Sequence, residues 1–326
     1  MRQLEIRSIL VATDLLESSV AVVEGAHALA DRTGAELHVI TSLEIPDMPY
    51  PGAGTALEFQ RQIHSARNTL HDQVARALPA GSDATTQKVA VENAPQAILE
   101  RAREIAADLI VIGPHRPRAF RGHILGNTAD RLLRSADVPV LIVSDPLPLP
   151  LTRVVAPIDL SDPARGALDQ AFLWAGALGR NDTDSGMPAV DLRVIHVIPR
   201  MYKDYDIPFD RAVIGPQLHT ELEKAQRRVG SSAQVSVREE ALWGNAPSEE
   251  IIRYATDEGA DLLVLGTHGY GALGRALIGS VTSRVARAAP CAMLLVPPPL
   301  WAVADEAEET ARPESASTAP RVPERS

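Results

Sequence analysis

The chain has 326 residues, 45% of them hydrophobic and 23% charged, with a net charge of −10. That length favours two domains, and the mixed, acidic charge offers no basic face of the kind that nucleic acid requires. One cysteine, Cys291, excludes an internal disulfide framework and fits a reducing compartment.

Arg7 follows soon after Arg2 and the next apolar run is short, so no signal-peptide core is expected, and no run approaches a membrane span. The expectation is a cytoplasmic protein with no membrane partner. Short apolar runs then alternate with longer helical patterns. Strands are predicted near 7–12, 35–41, 86–91, 108–113 and 138–143, and again near 153–158, 190–198, 233–239, 261–266 and 291–296. Helices of the second set are predicted at 163–179, 209–229, 247–258 and 279–288. Continuous apolar strands separated by helices predict an α/β fold with a parallel sheet covered on both faces. Ser161-Asp162-Pro163 reads as a capped helix start with proline in the first turn.

The chain is written twice. Ser8-Ile9-Leu10-Val11-Ala12-Thr13-Asp14 matches Arg153-Val154-Val155-Ala156-Pro157-Ile158-Asp159. Asn93-Ala94-Pro95 recurs as Asn245-Ala246-Pro247, each opening a helix. Ala107-Asp108-Leu109-Ile110-Val111-Ile112-Gly113-Pro114-His115 recurs as Ala260-Asp261-Leu262-Leu263-Val264-Leu265-Gly266-Thr267-His268. Val138–Val143 recurs as Cys291–Val296. Landmarks in one order mark a duplication. The predicted organisation is a domain at 1–144, a Pro-rich linker at 145–150, a domain at 151–298 and a disordered tail at 299–326. Residues 180–189 are an insertion specific to the second copy. Their Asp182-Thr183-Asp184-Ser185-Gly186 run suggests a calcium loop, but its glycine is misplaced and Arg193 stands where the closing glutamate belongs.

Gly266-Thr267-His268-Gly269, nine further residues, and then Gly279-Ser280 sit between a buried strand and a helix. Such a loop turns tightly, brings bare backbone near a ligand and aims N–H groups at an anion, with phosphate the expected one. It lacks the lysine of a P-loop. Gly269-Tyr270-Gly271-Ala272-Leu273-Gly274 matches a dinucleotide fingerprint but follows the fourth strand and has no acidic residue before Trp301. Glycines here also serve as plain turns, and Ser280 as a plain cap.

On these residues the chain resembles a tandem universal stress protein over about 5–144 and 151–297. The resemblance implies two open five-stranded parallel sheets, Rossmann-like with strand order 3-2-1-4-5, packed as a pseudo-dimer. It implies an adenine nucleotide, ATP with Mg²⁺, as ligand. Gly266, Gly269, Gly279 and Ser280, with His268 and Val281 beside them, would line ribose and phosphates. Asp159 would lie beside the adenosine, Pro157 and Ile158 would flank the base, and Val197 would meet adenine through its backbone. The corresponding set in the first copy is Asp14, Val39, Gly113, Arg116, Gly126 and Asn127. There Arg116 replaces a glycine, Asn127 replaces the serine and Pro114 removes a donor, so weaker binding or a structural role is expected.

Apolar fifth strands need a partner. The expected one is internal, 138–143 against 291–296, with a homo-oligomer as the alternative. No metal cluster or nucleophile–base pair is legible. Three functions stay open: a stress sensor or regulator with a protein partner, a slow ATPase or phosphotransferase, and a nucleotide-free scaffold.

Overall fold

A computed structural model describes residues 2–44, 53–79, 85–114, 127–143, 145–179, 190–201, 211–230, 235–268 and 278–297. The first half runs β1 (Ser8–Ala12), α1 (Val20–Thr33), β2 (Glu36–Ser42), α2 (Ala53–Ala77), β3 (Thr85–Ala90), α3 (Ala94–Glu104), β4 (Leu109–Ile112), α4 (Asn127–Ser135) and β5 (Val140–Ile142). The second runs β6 (Arg153–Pro157), α5 (Asp162–Leu178), β7 (Val190–Ile198), α6 (Arg211–Val229), β8 (Val235–Trp243), α7 (Pro247–Asp257), β9 (Leu262–Gly266), α8 (Ser280–Ala286) and β10 (Ala292–Val296).

Each half is a parallel sheet in the order 3-2-1-4-5, and the two join into one ten-stranded sheet, β3-β2-β1-β4-β5-β10-β9-β6-β7-β8. The join is antiparallel, with Met293 opposite Ile142, Leu294 opposite Leu141 and Leu295 opposite Val140. Leu141 and Leu294 are the same position in the two copies and face each other, so a pseudo-twofold axis passes through that pair. The C-terminal strand ends of the two halves therefore point to opposite edges of the sheet.

Both faces are covered. Ile9, Val11, Leu141 and Leu294 belong to one core with α1 and α5, whereas Leu10, Val140, Met293 and Leu295 belong to the other with Ile98, Leu132, Ile251 and Val285. Successive side chains of a strand point to opposite faces, and here both destinations are apolar. The halves are tied beyond the seam as well. The Arg2 N–H donates to the Val229 carbonyl at 2.8 Å, and Arg32 Nη2 donates to the Gly179 carbonyl at 3.1 Å. Leu147 of the 145–150 segment is buried in the core beside Gly25 of α1, so this segment is a packed connection as well as a spacer.

Local departures from expectation have identifiable causes. β8 runs to Trp243 because Ala241, Leu242 and Trp243 continue the ladder opposite His196, Val197 and Ile198. Its exposed Arg238 and Glu239 sit on an outer strand, where polar side chains face water. Asn93 caps α3 by accepting from the Gln96 N–H at 3.2 Å. Asn245, its copy, accepts instead from the Arg200 N–H at 3.0 Å and does not cap α7. Ser161 precedes α5 without a side-chain cap, because its hydroxyl bonds Asp159. The 180–189 insertion and residues 298–326 lie outside the described residues.

Candidate functional site

At the C-terminal ends of β6, β7 and β9 the sheet opens into a cleft of about 500 Å³. Open parallel sheets bind ligands here, where the chain leaves neighbouring strands in opposite directions. Pro157, Ile158, Asp159, Val197, Gly266, His268, Gly279, Ser280 and Val281 all line it. Gly269 lies outside the described residues. Its lining combines apolar Ile195, Val197, Ile251 and Ile278 with polar Asp159, His196, His268, Ser280 and Thr282.

The Asp159 carboxylate closes a local turn. Its Oδ1 accepts from the Ser161 N–H at 3.1 Å and from the Ser161 hydroxyl. Leu160 between them has φ +62°. The first copy repeats this: Asp14 Oδ1 accepts from Leu16 N–H at 3.0 Å and Ser19 Oγ at 2.5 Å, and Leu15 has φ +64°. A leucine in the left-handed region is unfavourable by roughly 1–2 kcal/mol. Both halves retain it directly after the strand-end aspartate. The turn holds that carboxylate at the strand end beside the cleft.

The glycine loop is braced from below. Thr267 is buried, and its N–H donates to the Val296 carbonyl at 2.9 Å. The Thr267 hydroxyl lies 2.8 Å from His268 Nδ1. Thr282 Oγ1 donates to the Gly266 carbonyl at 2.8 Å, tying α8 to the end of β9. The expectation that Gly279 offers its N–H to a ligand needs correcting. That N–H donates to the Thr267 carbonyl at 2.8 Å. The donors left at this rim are those of the following residues, beginning with exposed Ser280 and half-buried Val281, whose N–H groups have no earlier turn of helix to bond.

His196 also lines the cleft and was not singled out from sequence. Its Nδ1 lies 2.8 Å from the Ile158 carbonyl. A carbonyl only accepts, so Nδ1 carries the hydrogen, and the neutral ring keeps Nε2 as an acceptor. The sequence gives one signal for this residue, its place one position before Val197 at the end of a buried strand.

The matching cleft in the first half is about 310 Å³ and is lined by Asp14 and Gly113 among others. Its walls are more hydroxylated. Thr13, Thr41, Ser42 and Thr128 stand where the second half has Ile158, His196, Val197 and Val281. Thr13 Oγ1 donates to Gln73 Oε1 at 2.6 Å, and the fully buried Gln73 donates to the Leu16 carbonyl at 2.9 Å. Val39 does not belong to this site. It is buried in the core opposite Val11, and strand register makes Ser42 the counterpart of Val197. Gly113 packs so closely on α1 that a Cβ there would meet Val22 Cγ2 at 2.9 Å. Arg116 and Gly126 lie outside the described residues, and Asn127 is the first residue of α4. Among the described residues no helix is long and apolar enough to cross a membrane.

The model of the universal stress protein family matches residues 5–144 and again 150–297. A universal stress protein of Mycolicibacterium smegmatis is 29% identical over 311 residues, 89% of this chain and 97% of that protein. A universal stress protein of Thermus aquaticus is 43% identical over 82 residues, 24% of this chain and 60% of that protein. The crystal structure of a universal stress protein from Archaeoglobus fulgidus superposes with a TM-score of 0.60 at 19% identity, covering 90% of this chain and 97% of that one, which shows a shared fold. The two matches fall on the two halves of one continuous sheet, and the chain belongs to the universal stress protein family in tandem form.

Proposed function

We propose that the second-half cleft binds an adenine nucleotide, ATP with Mg²⁺, and that its occupancy regulates how the protein acts in a stress response through a protein partner. The observation that carries this reading is the convergence of one carboxylate, a glycine-lined loop and an apolar slot on a single 500 Å³ cleft. Each part suits one part of the ligand. Ile195, Val197 and Ile251 offer a flat apolar slot for a purine. Asp159, acceptor-only when ionised, suits ribose hydroxyls. Ser280 and Val281 offer the N–H groups of the first turn of α8 for phosphate oxygens. The residues present therefore fit the ligand, and Mg²⁺ would supply charge neutralisation for its phosphates. The hydroxylated and smaller first-half cleft is the weaker site on this reading.

The test uses protein purified without added nucleotide. It is denatured, and released adenine nucleotide is quantified by chromatography for the wild type and Gly279→Arg. Gly279 has φ −55° and ψ 139°, a backbone that any residue adopts, so the arginine fills the cleft without straining the chain. Near one equivalent of ATP, lost in the variant, is the expected result. Two equivalents would assign equal sites to both halves, and mostly ADP would move the reading toward hydrolysis. No nucleotide, with no binding on titration, overturns it.

A further inference from the structure

A second cavity of about 520 Å³ lies on the boundary between the halves. Its lining is mixed: Leu4, Val138 and Leu173 offer partly exposed apolar surface over buried Ile6, Pro139 and Trp174, and Arg2, Glu5, Asp108 and Gln170 form a polar rim. The arm is held against the second half by the Arg2–Val229 hydrogen bond, so the groove exists only because the halves are joined.

The chain's own C-terminal segment leaves the sheet beside this groove. Leu295 pairs with Val140 in the antiparallel seam. Val296 and Pro297 directly follow that pair, and the groove residues Val138 and Pro139 directly precede Val140 on the facing chain. Pro297-Pro298-Pro299 follow. Proline has no N–H to donate, so strand pairing stops there. Leu300 is four residues from Val296, so chain length alone keeps it within roughly 14 Å of that residue. Leu300, Trp301 and Val303 then form an apolar cluster, followed by Asp305, Glu306, Glu308 and Glu309. From residue 304 to the end, Val322 is the only further large aliphatic residue. The tail's apolar content is thus concentrated within reach of the groove.

We propose that the groove between the N-terminal arm and α5 is the docking site of this chain's own Leu300–Trp301 segment. The docked segment closes a clasp, since one end of the chain covers a seat built by the other end and by α5. An indole buries roughly 150–250 Å² when enclosed, enough to make Trp301 the anchor.

Disulfide trapping in the full chain tests this. Gln170, on the α5 wall, is replaced by cysteine together with Val303→Cys, and the rate of intramolecular disulfide formation is measured under mild oxidation. Cys291→Ser is carried in every protein so that the native thiol takes no part. The same pair is then measured with Leu300→Ser and Trp301→Ser. A docked segment holds the two cysteines at high effective concentration, so losing the anchors slows closure by about tenfold or more. An unchanged rate overturns the proposal, because a free tail of equal length closes at the same rate. No disulfide in either protein also overturns it. A disulfide-linked dimer of the anchored protein places a second copy's tail in the groove and overturns the intramolecular reading. Far-UV circular dichroism confirms that all variants keep the fold.

Discussion

Leu141→Ala separates one continuous sheet from two independent domains. Leu141 is 1% exposed and sits at the centre of the seam, opposite Leu294, which is fully buried. Removing a buried leucine beyond Cβ typically loses about 2–5 kcal/mol, the upper values applying where the surroundings cannot collapse. Here the neighbours are strand residues fixed by ladders on both sides, so the upper half of that range is expected. A loss of that size moves a urea midpoint by an amount on the order of 1 M. The chain provides its own reporter: its three tryptophans are Trp174, Trp243 and Trp301, all beyond the first half. Tryptophan emission therefore follows the second half, while far-UV circular dichroism follows both. If the seam couples the halves, Leu141→Ala lowers the emission midpoint although no tryptophan lies in the mutated half. Leu294→Ala lowers both signals by a similar amount, and the double variant loses less than the sum because the two cavities merge. An emission midpoint that stays put while an earlier dichroism phase appears would refute the coupling.

Two further outcomes follow from packing and burial. Gly113→Ala places a Cβ 2.9 Å from Val22 Cγ2, so thermal stability drops by about 1–3 kcal/mol, and Val22→Ala restores much of it; no rescue would assign the glycine to something other than packing. Asp169 is buried against Arg228, with bonds of 2.8 and 2.9 Å. Burial raises its carboxyl above the usual 3.8, even against the pull of Arg228. A group that holds its proton more tightly when folded contributes stability at low pH. That contribution declines as pH rises from about 3.8 through the raised folded value. Urea titrations of Asp169→Asn across that window should lack this component of the slope, and an unchanged slope would reject it.

Much of the architecture is legible in the sequence because a parallel sheet covered on both faces writes its strands as unbroken apolar runs. Ser8–Asp14 and Arg153–Asp159 align without gaps, and the glycine loop announces where a cleft opens. The residues that were misassigned show what one dimension hides. His38-Val39-Ile40 reads like His196-Val197-Ile198, yet the ladders shift the two triplets by three positions, so His38 stands level with Arg193. His38 is buried, with Nδ1 2.5 Å from Thr86 Oγ1, and burial is the main influence holding its pKa below the ordinary value. Local similarity overrode register. The use of the Gly279 N–H by Thr267 was equally invisible, since it depends on how closely α8 returns to β9. The role of Asn245 likewise depends on the nearness of Arg200, a neighbour supplied only by tertiary structure.

The antiparallel seam has an evolutionary corollary. Two identical subunits joined along that edge must accept every substitution twice, once on each side of the axis. Linking the subunits in one gene releases them from that symmetry. One cleft carries Ile158, Val197 and Val281 where its twin carries Thr13, Ser42 and Thr128, while the central seam pair, Leu141 and Leu294, is the same residue in both halves. The duplicated chain is a dimer whose halves can specialise.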